Sequence, residues 1–105
     1  MNVRPIPAAR DDAADAARDL ELMRPGWGDD FEAEMRRAVA AIGATPRLFG
    51  RTEDGPDEPE NREYFIARFE YRVIYAIWNG EAVIVAVIHA RRRSGSWLTR
   101  LNELT

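Results

Sequence analysis

Apolar and polar positions divide the chain into segments of different period, and the clearest is residues 71–89, YRVIYAIWNGEAVIVAVIH. Two runs rich in β-branched and aromatic residues flank Asn79-Gly80 there. That dipeptide tolerates the positive φ values of a type I′ turn, whose twist suits paired strands, so the stretch predicts a β-hairpin. With Asn79 and Gly80 as the loop, Trp78 faces Glu81, Ile74 faces Val85 and Arg72 faces Val87. Residues 83–88 are apolar without alternation. Such a strand needs cover on both faces and belongs inside a sheet. The chain then turns polar at once through His89, Ala90, Arg91, Arg92 and Arg93.

The rest arranges itself around this hairpin. Residues 2–6 form a short strand that Pro5 and Pro7 confine to an edge or to poor pairing. Over residues 8–23, Ala9, Ala13, Ala16, Ala17 and Leu20 recur at helical spacing. An alanine-lined face lets a second helix approach closely. Arg24-Pro25-Gly26-Trp27-Gly28 breaks the first helix. The second starts with Asp29 as N-cap and Glu32 completing a capping box, carries the stripe Phe31, Met35, Ala38, Val39 and Ile42, and stops at Gly43 and Pro46. Residues 50–61, GRTEDGPDEPEN, read as an acidic surface loop. Strands at 63–69, 71–78 and 81–88 then make an antiparallel meander. Trp97, Leu98, Arg100 and Leu101 suit a short C-terminal helix capped near Ser94 or Ser96. The order β-α-α-β-β-β-α predicts an α+β fold, a two-helix hairpin packed on a small antiparallel sheet. At 105 residues it is one domain, residues 1–105.

Composition narrows the chemistry. No cysteine is present, which excludes disulfides and thiolate sites, and no metal-ligand spacing, phosphate-cradling glycine loop or serine elbow occurs. Neither metal nor cofactor is expected. No apolar run approaches a membrane span and the start lacks a signal-peptide layout, so a cytoplasmic protein without a membrane partner is expected. The net charge of −3 conceals an asymmetry: residues 1–60 carry 8 Arg against 14 acids, residues 61–105 carry 7 Arg against 4. Lysine is absent. Arginine offers phosphate or carboxylate a planar fork, although a GC-rich genome gives the same bias. The acidic total argues against whole-surface binding to nucleic acid and leaves only local contacts.

The candidate chemistry is an Arg, Tyr and His set: Arg62, Arg68, Tyr71, Arg72, His89, Arg91, Arg92, Arg93, Trp97 and Arg100. On the pairing above, Arg72 and His89 share a face of the sheet. A histidine exchanges a proton near pH 7 and neighbouring arginines hold a phosphate, which suits metal-free RNA cleavage by the 2′-hydroxyl. Plainer readings stand beside this one. His89 is a structural strand-end residue, Arg91 to Arg93 a solvated turn, Tyr75 and Trp97 core, and Arg62 and Arg68 surface partners of the acidic loop.

The same residues carry a family likeness. Pro25-Gly26-Trp27-Gly28-Asp29-Asp30-Phe31 resembles the Pro-Gly-x-Gly-x-x-Phe that opens the second helix of RelE/ParE superfamily toxins. Arg62, then Arg68-Phe69-Glu70-Tyr71-Arg72-Val73-Ile74-Tyr75, resembles their Arg followed by Arg-Phe-Pro-Tyr-x-Ile-x-Tyr. Ala86-Val87-Ile88-His89-Ala90-Arg91-Arg92 with Trp97 and Arg100 resembles Ala-Val-x-His-x-x-Arg-x-Pro-x-x-Trp-x-x-Arg. The likeness spans residues 8–101 and is nearest to the ParE-like plasmid stabilisation branch. Glu70 and Gly95 replace family prolines, and the acidic loop is longer than the family's.

The resemblance implies the toxin of a type II toxin–antitoxin module, a growth inhibitor neutralised by a cognate antitoxin in a hetero-oligomer. It implies catalytic candidates His89, Arg91, Arg68, Arg62 and Tyr71, and target-binding candidates Arg72, Arg92, Arg93, Trp97 and Arg100. ParE-like members trap DNA gyrase and are not enzymes in doing so; RelE-like members are ribosome-dependent mRNA endonucleases. The negative charge favours the gyrase reading, because an acidic protein gains little electrostatic help towards a ribosome. RelE-like mRNA cleavage is the alternative, and an inactive toxin-fold binding module the second alternative.

Overall fold

The computed structural model describes residues 1–104. Its elements are β1 (Asn2–Pro5), α1 (Pro7–Met23), α2 (Trp27–Ala44), β2 (Asn61–Ile66), β3 (Tyr71–Trp78), β4 (Glu81–His89) and a 3₁₀ helix, Leu98–Glu103. Asn79 and Gly80 take φ values of 49° and 76°, the left-handed pair a type I′ turn requires. The strand order β1-β4-β3-β2 places β4 inside the sheet, as its unbroken apolar run demands. The α+β architecture is the one expected. One detail differs: β1 is the edge strand its prolines dictate, yet it runs parallel to β4, so the sheet is mixed rather than wholly antiparallel. Parallel pairing is open to β1 because the chain leaves it through both helices before returning to the sheet.

The helices pack by the faces their spacing marks. Ala9, Ala16, Ala17 and Leu20 are buried on α1, and Phe31, Ala38 and Ile42 on α2. Capping of α2 differs from expectation. The helix opens at Trp27 behind a left-handed Gly26, without a side-chain cap from Asp29. The N–H groups of Gly26 and Gly28 donate instead to the Glu21 carboxylate, at 3.0 and 3.1 Å. A negative charge from the end of α1 thus satisfies the free donors of α2 and ties the two helices together. Two further boundaries move. Strand β2 runs from Asn61 to Ile66, and the C-terminal helix follows Trp97 with no serine cap.

A bulge decides which residues share a face. Tyr75 pairs with Ile84 but Ile74 pairs with Ala86, so Val85 is an extra residue in β4. Beyond it Arg72 lies opposite Ile88, and Tyr71 opposite His89, one position away from the simple hairpin register. Strand β1 ends at Pro5 and cannot reach this part of β4. Side chains take its place. Arg100 donates to the Val85 carbonyl at 3.0 Å, the Val87 N–H donates to Asp12 at 2.9 Å, and Arg100 and Asp12 join at 2.5 Å. An ion pair therefore satisfies backbone groups that a neighbouring strand would otherwise meet.

The α-hairpin covers one face of the sheet through Phe31 and Leu20. The other face is covered by the segment expected to be a solvated loop. Asn61, 1% exposed, donates to the carbonyls of Pro56 and Pro59 at 2.8 and 2.7 Å and accepts from Thr52. Gly55 sits so close to Asn61 and Trp97 that a methyl group there would clash with both. Within the same segment the Asp54 side chain is 8% exposed. Its carboxylate accepts both Arg72 nitrogens at 2.8 and 3.0 Å, the Gly95 N–H at 2.9 Å and the Trp97 indole N–H at 3.0 Å. The Arg72 guanidinium is the main cause holding this carboxyl well below the ordinary range.

Asp12→Ala is expected to lower stability by about 3 kcal/mol, because it strands a partly buried guanidinium and a backbone donor. A loss under about 1 kcal/mol in urea unfolding would show that the pair is dispensable there. Because the folded pKa of Asp54 is depressed, its contribution stands in full above the unfolded carboxylate pKa of about 4 and is lost as pH falls below it. Melting temperatures from pH 7 to pH 3 should therefore fall more steeply for the natural protein than for Asp54→Asn, and parallel curves would contradict this.

Candidate functional site

Where β4 leaves the sheet it presents His89 towards α1. Its ring stands edge-on to Tyr71, centroids 5.3 Å apart, and Tyr71 in turn meets Phe31 at 5.1 Å. The series continues through Phe69 to Trp27 with spacings of 5.9 Å, so His89 ends a line of edge-to-face aromatics that reaches the start of α2. Burial, with a smaller push from Asp19, raises the Tyr71 phenol above its usual value. The Arg91 N–H donates to Nδ1 of His89 at 3.1 Å. In the neutral ring this assigns the proton to Nε2.

Beside this pair lies a cleft of about 230 Å³ lined by Asp12, Asp15, Asp19, Tyr71, His89 and Arg92. The three aspartates recur at i, i+3 and i+7 on α1 and form an acidic wall facing the histidine. Their spacing is legible in the sequence, but what it faces is not. Arg18 lies 3.3 Å from Asp15 and 3.7 Å from Asp19 at the exposed rim.

The predicted residues do not gather at one place. Tyr71, His89, Arg91 and Arg92 do, with Arg93 beside them; all three arginines are exposed, and among the described residues none makes an ion pair. Arg72 does not share their face. The Val85 bulge shifts the register by one and turns it to the opposite side, where Asp54 and Glu63 hold it. Arg62 is four residues along β2 from the Tyr71 partner Ile66, roughly 13 Å away. It donates to the Phe49 carbonyl at 2.7 Å and to Glu60 at 2.8 Å. Arg68 follows β2, pairs with Asp30 at 2.8 Å and stacks over Phe69. Trp97 is core at 1% exposure, and Arg100 belongs to the plug on β4. Tyr75 is packing as well: its hydroxyl donates to Pro46, and burial pushes its phenol up to about 12.

A second cleft of about 400 Å³ opens on the opposite face, lined by Arg51, Glu53, Asp54, Glu63, Arg72 and Arg92. Arg92 lines both clefts, so residues 91–93 form a basic ridge with carboxylates on either side. Asp54 and Asp12 are the residues that sequence reasoning passed over. One was hidden among the acids of its loop and the other on the polar side of a helix.

Among the described residues no helix is long and apolar enough to cross a membrane. No curated protein matches the sequence. Among solved structures, a chain of the chromosomal ParDE TA system from P. aeruginosa superposes with a TM-score of 0.71 at 12% identity, covering 87% of this chain and 97% of that one. That likeness concerns the fold. A family model described as "ParE toxin of type II toxin-antitoxin system, parDE" matches residues 3–94. With nearly the whole chain matched, this protein belongs to the ParE toxin family of type II toxin–antitoxin systems.

Proposed function

We propose that this chain arrests growth by acting on DNA gyrase and that a cognate antitoxin neutralises it. The observation that supports a protein target over mRNA is the acidic wall at His89. A phosphodiester approaching the imidazole would enter a cleft with Asp15 and Asp19 on one side, and repulsion opposes that approach. The tautomer points the same way. With Nδ1 accepting from Arg91, Nε2 is a donor, whereas activation of a 2′-hydroxyl needs an acceptor. At the end of β4 the cations Arg91, Arg92 and Arg93, unpaired among the described residues, form a narrow ridge, which suits insertion into a protein surface better than tracking along a polyanion.

Neutralisation draws on apolar surface around the helices. Leu22 and Met23 at the tip of the hairpin are 80% and 71% exposed. A groove of about 170 Å³ between β1 and the helices is lined by Val3, Ala9, Ala13, Met35, Val39 and Ile84. Surface of this kind fits a segment that orders on binding.

Expression without antitoxin is expected to stop growth, and purified protein to stabilise cleaved gyrase–DNA complexes. Unimpaired growth at a verified soluble level would remove the toxin reading. Rapid cleavage of ribosome-bound mRNA in a purified translation reaction would replace gyrase with the RelE-like target. Replacing Arg91, Arg92 and Arg93 together by Ala should reduce toxicity by about tenfold or more while shifting stability by less than about 1 kcal/mol, since exposed unpaired side chains contribute little to folding. His89→Ala should cost less activity than the arginine changes, and the reverse order would restore the histidine to the centre of the mechanism.

A further inference from the structure

We infer that Asp54 is a positioning residue that sets how the 91–93 ridge is presented to its target. This rests on the proposed use of that ridge. The ridge hangs between two anchorages. Upstream, the Ala90 N–H donates to the Glu70 carbonyl at 2.8 Å, the Arg92 N–H to the His89 carbonyl at 2.9 Å, and the Arg91 N–H to the His89 ring. Downstream the backbone is held at Gly95, whose φ of 75° reverses the chain before Trp97. The side-chain acceptor at that reversal is Asp54.

Oδ2 of Asp54 accepts from Gly95 N, Trp97 Nε1 and Arg72 Nη1, while Oδ1 accepts from Arg72 Nη2. Arg72 belongs to β3, which lies inside the sheet between β2 and β4. One buried carboxylate therefore couples the far end of the ridge to the sheet, across 41 residues of sequence. Asp54 lines the same cleft as Arg92 but makes no ion pair with any of the three exposed arginines, and its hold on their backbone runs through Gly95. The charge of Arg72 has a second partner, Glu63, at 2.9 Å, but among the described residues Gly95 and the Trp97 indole have no other side-chain acceptor. Losing Asp54 therefore frees the turn more than it frees the guanidinium. The residue lies outside all three motif segments, in the longer acidic loop, so the device sits in the part of the chain where it departs from its family pattern.

Three variants separate positioning from simple ion pairing. Glu63→Gln weakens the Arg72 pair and leaves every Asp54 bond in place. Asp54→Ala breaks both functions. Asp54→Ala combined with Arg72→Met removes the stranded charge, which recovers stability relative to Asp54→Ala. Amide exchange by NMR on the whole protein reports on residues 91–97 directly. Expected are near-natural protection and toxicity for Glu63→Gln, and exchange about tenfold faster at Gly95 and the Trp97 indole for the double variant, with β3 and β4 amides unchanged. Toxicity of the double variant should fall by a similar factor despite its recovered melting temperature. Natural protection of the turn in the double variant, or equal loss in Glu63→Gln, would overturn the inference. If the natural protein proves non-toxic, the exchange measurement still decides whether Asp54 holds the turn, and the functional proposal fails separately.

Discussion

A strand apolar on both faces cannot be satisfied by a single layer of helices. Residues 82–88 of β4 are all buried, so the sheet must be roofed twice. One roof is the α-hairpin, with Phe31 and Leu20 in the core. The other has no helix long enough to serve and is assembled from a polar connection, Trp97 and the C-terminal turn. Polar chain can cover an apolar sheet only if its own donors and acceptors are met, and Asn61 and Asp54 meet them. Much of the molecule's individuality follows from this second, unusual roof.

That division also explains what could be read from the sequence. Asn79-Gly80 prescribes a backbone geometry, and the helix stripes repeat every turn, so both announce themselves locally. The place of β4 inside the sheet followed from its unbroken apolar run. That same run concealed the register, because a strand apolar on both sides carries no alternation from which an extra residue at Val85 would stand out. One inserted residue sent Arg72 to the wrong side of an expected site. Asp54 was invisible for a different reason. Its neighbours Glu53, Asp57 and Glu58 have similar chemistry, and only the three-dimensional position of Arg72 and Gly95 distinguishes it. Element type is a local property here; face and fastening are not.

The electrostatic picture is likewise one of placement rather than totals. Four of the seven arginines that sequence patterning brought forward are taken up by internal ties: Arg62 at Phe49 and Glu60, Arg68 at Asp30, Arg72 at Asp54 and Glu63, Arg100 at Asp12. Their carboxylate partners explain why so acidic a loop and helix coexist with so basic a C-terminal half. What remains of that set is a small cationic crest, Arg91 to Arg93, set between anionic slopes. A partner docking on the crest as proposed would have to offer its acidic groups there and keep them off the flanks.

The plug formed by Asp12 and Arg100 has one more effect. Exposed strand margins invite other chains to add a strand of their own, the usual route to disordered association in small sheet proteins. Here a newcomer would have to evict a guanidinium from the Val85 carbonyl and a carboxylate from the Val87 amide, leaving both charges behind in a half-dry crevice. A protein that depends on being captured by the right companion is thereby guarded, along its central strand, against recruitment by copies of itself.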